Sequence, residues 1–245
     1  MQSLRCIFNR YFRELITITR LSVFLSQCKL CERDLVYEGE DIICRQCKAK
    51  ISMFKTNVCN HCGRPLGNFS HQCGECLLNP PPFRTHISYG EYEEELKALI
   101  LIFKYGNVEK LKHLLTDYYV EMFYEKIDES FDFIIPVPPD KGRKREFNPV
   151  LEIAKILSKQ LEMKLLPLHL VKIKKTLPQA GLTRSQRLNN LNGAFKLTGT
   201  HPSIRGKKIL LIDDVYTTGT TLKKCTELLT REKADVVALT LARSI

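Results

Sequence analysis

Residues 209–221, Ile-Leu-Leu-Ile-Asp-Asp-Val-Tyr-Thr-Thr-Gly-Thr-Thr, decide the fold. Ile209 to Ile212 form an unbroken apolar run, the pattern of a strand buried on both faces at the centre of a parallel sheet. Asp213 and Asp214 stand at its carboxyl end, where open α/β sheets bind ligands. Thr217, Thr218, Gly219, Thr220 and Thr221 then lead into a helix spanning 220–231. Hydroxyls and amides at such a loop converge on one point, with the helix dipole behind them, which makes a phosphate cradle. Gly219 lets the backbone approach the anion closely. The acids lie where the hydroxyls of a phosphorylated sugar would fall, and carboxylates accept from vicinal hydroxyls and hold Mg2+ through water.

Elements alternate on either side of this stretch. Helices are predicted over 93–103, 110–124 and 149–160, and strands over 131–137, 165–171 and 235–241. Leu96, Leu99, Ile100 and Phe103 recur at helical spacing, and Pro149 suits a first helical turn. Such alternation predicts an open, mostly parallel α/β sheet. Asn79 followed by Pro80, Pro81 and Pro82 reads as a stiff connector. The expected organisation is therefore an extension over 1–26, a metal module over 27–79 and the α/β domain over 80–245.

The module rests on eight of the ten cysteines. Cys28/Cys31, Cys44/Cys47, Cys59/Cys62 and Cys73/Cys76 all repeat C-x-x-C. One spacing kept throughout suits tetrahedral Zn2+, because two thiolates on a tight turn span one edge of the tetrahedron. Sequential pairing gives one site from 28, 31, 44 and 47 and another from 59, 62, 73 and 76; a cross-braced pairing has the same spacing. With four thiolates at each site no position stays open, so both are read as structural. Cys225, on the helix after the loop, reads as a core residue.

The formal charge is +11, and its distribution is uneven. Residues 136–208 carry 16 Lys/Arg against 4 Asp/Glu, a concentration that attracts phosphates, pyrophosphate or nucleic acid. No apolar run approaches the roughly 20 residues of a membrane span. Arg20 interrupts the apolar stretch near the N-terminus, which argues against a signal peptide there. Abundant thiols suggest a reducing, cytoplasmic setting.

The 209–221 stretch resembles the phosphoribosyl pyrophosphate (PRPP) motif of type I phosphoribosyltransferases, with Tyr216 standing where a small or aliphatic residue is common. Further stretches resemble the ComF family, which joins an N-terminal double zinc ribbon to a phosphoribosyltransferase-like domain. They are Phe103-Lys104-Tyr105, Pro136-Val137-Pro138 with Arg143 and Phe147-Asn148, and the segment containing Gln179, Arg184, Arg187 and Asn190. The resemblance implies a PRPP or ribose 5-phosphate site at Asp213, Asp214 and Thr217 to Thr221. Lys104, Arg143, Arg145, Arg184 and Arg187 would lie on its pyrophosphate side, and Mg2+ would accompany PRPP. In such transfers a base nitrogen attacks the anomeric carbon as pyrophosphate leaves, and protein and Mg2+ take up the leaving charge. The family further implies a part in natural competence, with single-stranded DNA and a helicase as partners. The alternative is an adaptor that keeps the fold without turnover. One departure bears on that choice. The family pattern Arg-Gly-Phe-Asn-Gln reads Arg145-Glu146-Phe147-Asn148-Pro149 here, placing a negative charge where pyrophosphate is expected.

Overall fold

The computed structural model describes residues 26–35, 42–55, 57–67, 70–139, 148–174, 176, 190–199 and 202–245. Two compact units divide the chain, Met1–Ile51 and Ser52–Ile245. The division falls between the two cysteine groups, so the second group shares a unit with the α/β sheet.

In the first unit the described residues form a Cys28–Cys31 turn and a short helix, α1 (Arg45–Lys50). A single antiparallel bridge, Gln27 to Asp34, holds the strands of that turn. The second unit opens with a matching turn, bridged from Val58 to Pro65, and helix α2 (Gly74–Leu78).

A parallel sheet follows, built from β1 (Thr85–Glu91), β2 (Phe133–Pro136), β3 (Lys164–Leu165), β6 (Lys208–Tyr216) and β7 (Asp235–Arg243), in the order β1-β7-β6-β2-β3. Its helices are α3 (Glu94–Tyr105), α4 (Leu111–Lys126), α5 (Pro149–Gln160) and α6 (Thr220–Arg231). A separate antiparallel pair joins β4 (Leu170–Lys172) to β5 (Phe195–Leu197). Strand β6 sits at the centre, flanked by β2 and β7, and Ile209, Leu210, Leu211 and Ile212 are wholly buried. Burying four such side chains contributes about 1.5–3 kcal/mol each.

The larger departures from the pattern in the sequence have local reasons. The strand expected over 165–171 is two strands in different sheets, separated by a turn at Pro167, which has no amide to continue a ladder. The central strand runs past Ile212 through both acids to Tyr216, because β7 pairs with it as far as Arg243. Strand β1 lacks an apolar pattern, since its inward positions include His86 and Ser88, which find polar partners on β7. Pro149 departs from the family pattern but fits locally. It occupies the first turn of α5, where a missing amide costs nothing, and the Asn148 side chain accepts from the Leu151 amide at 3.3 Å.

Candidate functional site

At the carboxyl end of β6 the chain turns through Thr217 and Thr218 into Gly219, whose φ of 70° lies in the left-handed region. A Cβ there would sit 2.2 Å from the Tyr216 hydroxyl oxygen, so the position excludes any side chain twice over. The Thr218 and Thr220 hydroxyls are 2.9 Å apart. Helix α6 begins its ladder with the Lys223 amide donating to the Gly219 carbonyl at 2.9 Å. First-turn amides have no carbonyl one turn back, and the glycine cap offers no side chain to serve them. An anion can serve them instead, favoured by the helix dipole. A cleft of about 300 Å3 opens beside the loop, walled by Asn79, Pro80, Pro82, Thr218, Lys223 and Lys224 among others.

Both acids are half-buried on the same strand end. The Asp214 amide donates to Asp213 Oδ1 at 2.9 Å, and the Asp213 carbonyl accepts from the Tyr119 hydroxyl. Burial, then the charges of Asp214 and Asp213, hold the Tyr119 hydroxyl protonated far above its ordinary range. Lys104, in the last turn of α3, places Nζ 2.6 Å from Asp214 Oδ2. Burial works against the ammonium, but the Asp214 carboxylate beside it and Asp213 behind it outweigh that and raise its pKa.

The cysteine groups form sequentially. The Sγ atoms of Cys28, Cys31, Cys44 and Cys47 lie within 4.8 Å of one another, as do those of Cys59, Cys62, Cys73 and Cys76. Sulfur pairs Cys31/Cys44 and Cys62/Cys73 are each 3.7 Å apart. A ZnS4 tetrahedron with bonds of about 2.3 Å has edges of about 3.8 Å, so the donor sets fit Zn2+. Amides orient the sulfurs: Cys44 donates to Cys28 Sγ and Cys73 to Cys59 Sγ, both at 3.3 Å. Burial pushes the Cys28 and Cys59 thiols up, yet amide hydrogen bonds dominate and bring each down to about 6. Cys47 and Cys76 are pushed up by burial and by the neighbouring thiols. Sulfurs this close resist joint ionisation until a dication joins them.

The second group is anchored to the sheet. The Cys62 carbonyl accepts from Arg243 Nη1 and lies 2.9 Å from His86 Nδ1. His86 Nε2 meets the Thr240 hydroxyl at 3.0 Å, and burial, with the Arg243 charge adding to it, lowers its pKa to about 3, so the ring is neutral.

Of the residues singled out in the sequence, the structure brings Lys104, Asp213 and Asp214 together at the strand end, with Thr217, Thr218 and Gly219 forming the adjoining turn and Thr220 and Thr221 opening α6. Arg143, Arg145 and Glu146 lie outside the described residues, as do Arg184, Arg187 and residues 1–25 of the extension over 1–26. Arg243, His86 and Tyr119 escaped sequence reading. They sit in separate elements, and none shares a motif with the loop. Among the described residues no helix is long and apolar enough to cross a membrane.

Comparisons with known proteins agree with this architecture. Residues 150–242 match the phosphoribosyl transferase domain family, and residues 22–77 match the double zinc ribbon domain family. The chain is similar to competence protein F of Haemophilus influenzae, 30% identical over 218 residues, spanning 85% of this chain and 93% of that protein. It is similar to DNA utilization protein YhgH of Escherichia coli O6:H1, 29% identical over 216 residues, 86% of this chain and 93% of that one. Competence protein ComFC of Bacillus subtilis is 26% identical over 238 residues, 89% of this chain and 95% of the other.

Proposed function

The chain belongs to the ComF family, alongside competence protein F, ComFC and YhgH, and we propose that its phosphoribosyltransferase-like domain binds PRPP or another ribose 5-phosphate in a cytoplasmic step of DNA uptake and processing. The observation that carries this reading is the left-handed Gly219 cap in the turn that follows the twin acids of β6. A 5-phosphate would meet the hydroxyls and amides of residues 217–221. The ribose hydroxyls would then reach Asp213 and Asp214. Mg2+, when bound with PRPP, supplies charge neutralisation of the pyrophosphate, and the two carboxylates are the residues that would hold it through water. Lys104 would assist on the same side, together with Arg143, Arg145, Arg184 and Arg187. Zn2+ in both cysteine groups has a structural role.

Titration calorimetry with PRPP and Mg2+ tests the site. Saturable binding is expected, and it is expected to vanish in Asp213→Asn with Asp214→Asn while zinc content stays the same. Undiminished PRPP affinity in that double variant would refute the assignment.

A second reading is an adaptor for single-stranded DNA or a helicase that keeps the fold without turnover. The Lys104–Asp214 ion pair favours it, because it engages one of the acids with a protein cation. The basic excess of residues 136–208 suits a polyanion. Pyrophosphate release from PRPP with an added nucleobase supports the transferase. No release with any base, together with DNA affinity that falls steeply with salt, supports the adaptor.

A further inference from the structure

Arg243, the last residue of β7, is 2% exposed and lies directly across from Tyr216 in the β6–β7 register. Its guanidinium is 4.4 Å from the centre of the Tyr216 ring, and its Nη1 donates to the Cys62 carbonyl. The Tyr216 ring also meets His86, stacked at 4.3 Å, and Phe83, edge-on at 6.5 Å. The Tyr216 hydroxyl in turn occupies the space a Cβ on Gly219 would need. An unbroken chain of contacts thus runs from the second cysteine group, through Arg243 and Tyr216, to the turn of the phosphate loop.

The charges point the same way. A buried guanidinium requires a compensating charge. Among the described residues no carboxylate pairs with Arg243. With Zn2+ bound, four thiolates would carry a net charge of about −2, and the second group would supply that charge on the Cys62 side. Cation–π contact with a desolvated aromatic ring adds to the hold on Tyr216.

We propose that Arg243 is a positioning residue that links zinc in the Cys59/Cys62/Cys73/Cys76 group to the conformation of the 217–221 loop, so that metal occupancy of this group sets how tightly the loop holds a sugar phosphate. The ligand part of this inference rests on the proposed function; the link itself does not.

Arg243→Met in the full chain, loaded with zinc, is the test, read in three ways. Zinc content by chelator assay is expected to match the parent. Amide hydrogen exchange of the 217–222 peptide without ligand is expected to accelerate several-fold. PRPP affinity by calorimetry with Mg2+ is expected to fall about tenfold, as loss of a desolvated cation–π anchor implies. Should Arg243→Met fail to fold, Tyr216→Leu cuts the chain of contacts at its other end with the same expected readouts. Unchanged loop exchange in a folded variant that retains both zinc ions overturns the proposal. If the parent binds no PRPP, the proposed function fails on its own, and the exchange comparison still decides the link.

Discussion

Lys104 Nζ lies 2.6 Å from Asp214 Oδ2, while the neighbouring Asp213 turns Oδ1 to the Asp214 amide at 2.9 Å. A cation bound at the strand end must therefore compete with an ammonium for Asp214. Lys104→Met removes the competitor. A partly exposed pair of this kind is worth about 1 kcal/mol, so Mg2+ affinity of the ligand-free protein is expected to rise about fivefold. PRPP affinity is expected to move the other way, since a positive charge is lost beside the pyrophosphate. Calorimetry with Mg2+ alone and then with PRPP separates the two effects. Equal or weaker Mg2+ binding in the variant would show that the pair does not compete with the metal.

The approach of Tyr216 to Gly219 leads to a second expectation. Gly219→Ala forces a Cβ to within 2.2 Å of the Tyr216 hydroxyl oxygen, on a backbone with φ of 70°. The conformational cost alone is about 1–3 kcal/mol, and the ring must shift in addition. Urea unfolding is expected to show a lower midpoint with an unchanged slope, and PRPP titration a loss of more than about tenfold, since 1.4 kcal/mol is a factor of ten. A variant with the parent's midpoint would mean the turn is not held as described.

How much of this was legible beforehand follows from where the chemistry sits. The strand, twin acids, glycine and threonines are contiguous, so one buried strand and one helix start position them all. The cysteines announce themselves by a repeated spacing. Tyr216 was visible only as an oddity, because its explanation is Arg243 on another strand and Cys62 more than 150 residues away in sequence. His86 and Ser88 obscured β1 for a related reason: their partner Thr240 makes polar side chains acceptable inside the sheet. Residues 165–171 have the apolar pattern of one strand, although the missing amide of Pro167 marks the break.

Cysteine substitutions are expected to act beyond metal content. Cys76 belongs to the same buried cluster as Ile209, Leu211 and Tyr216. Cys76→Ser is expected to reduce zinc from two ions per chain to one and to lower the melting temperature of the sheet by about 10 °C, if several kcal/mol of metal-linked stability are lost. Cys28→Ser is expected to remove one zinc as well, from the group in the first unit. Atomic absorption counts the metal, and calorimetric scanning reads the melting. A Cys76→Ser chain that melts with the parent would detach the second zinc site from the sheet's stability.

At the opposite end of the sheet, Glu129 accepts from Lys208 and Arg84, and Asp132 from Lys207 and the Lys208 amide. For Glu129 the Lys208 hydrogen bond leads, and for Asp132 the Lys207 hydrogen bond; both carboxyls titrate below their ordinary values of 4.5 and 3.8. The unfolded chain therefore binds these protons first as pH falls. Their stabilisation is complete above the ordinary carboxylate range and is lost as pH drops through the depressed native values. Glu129→Gln with Asp132→Asn is expected to be less stable than the parent near neutrality, by about 1 kcal/mol for near-surface pairs. That gap is expected to close toward the acid limit of folding and to shrink in high salt. Because zinc binding to thiolates weakens in acid for parent and variant alike, the difference between their urea midpoints at each pH is the quantity to follow. A gap that stays constant from neutral to acid pH would mean these carboxylates contribute through packing and not through their charge.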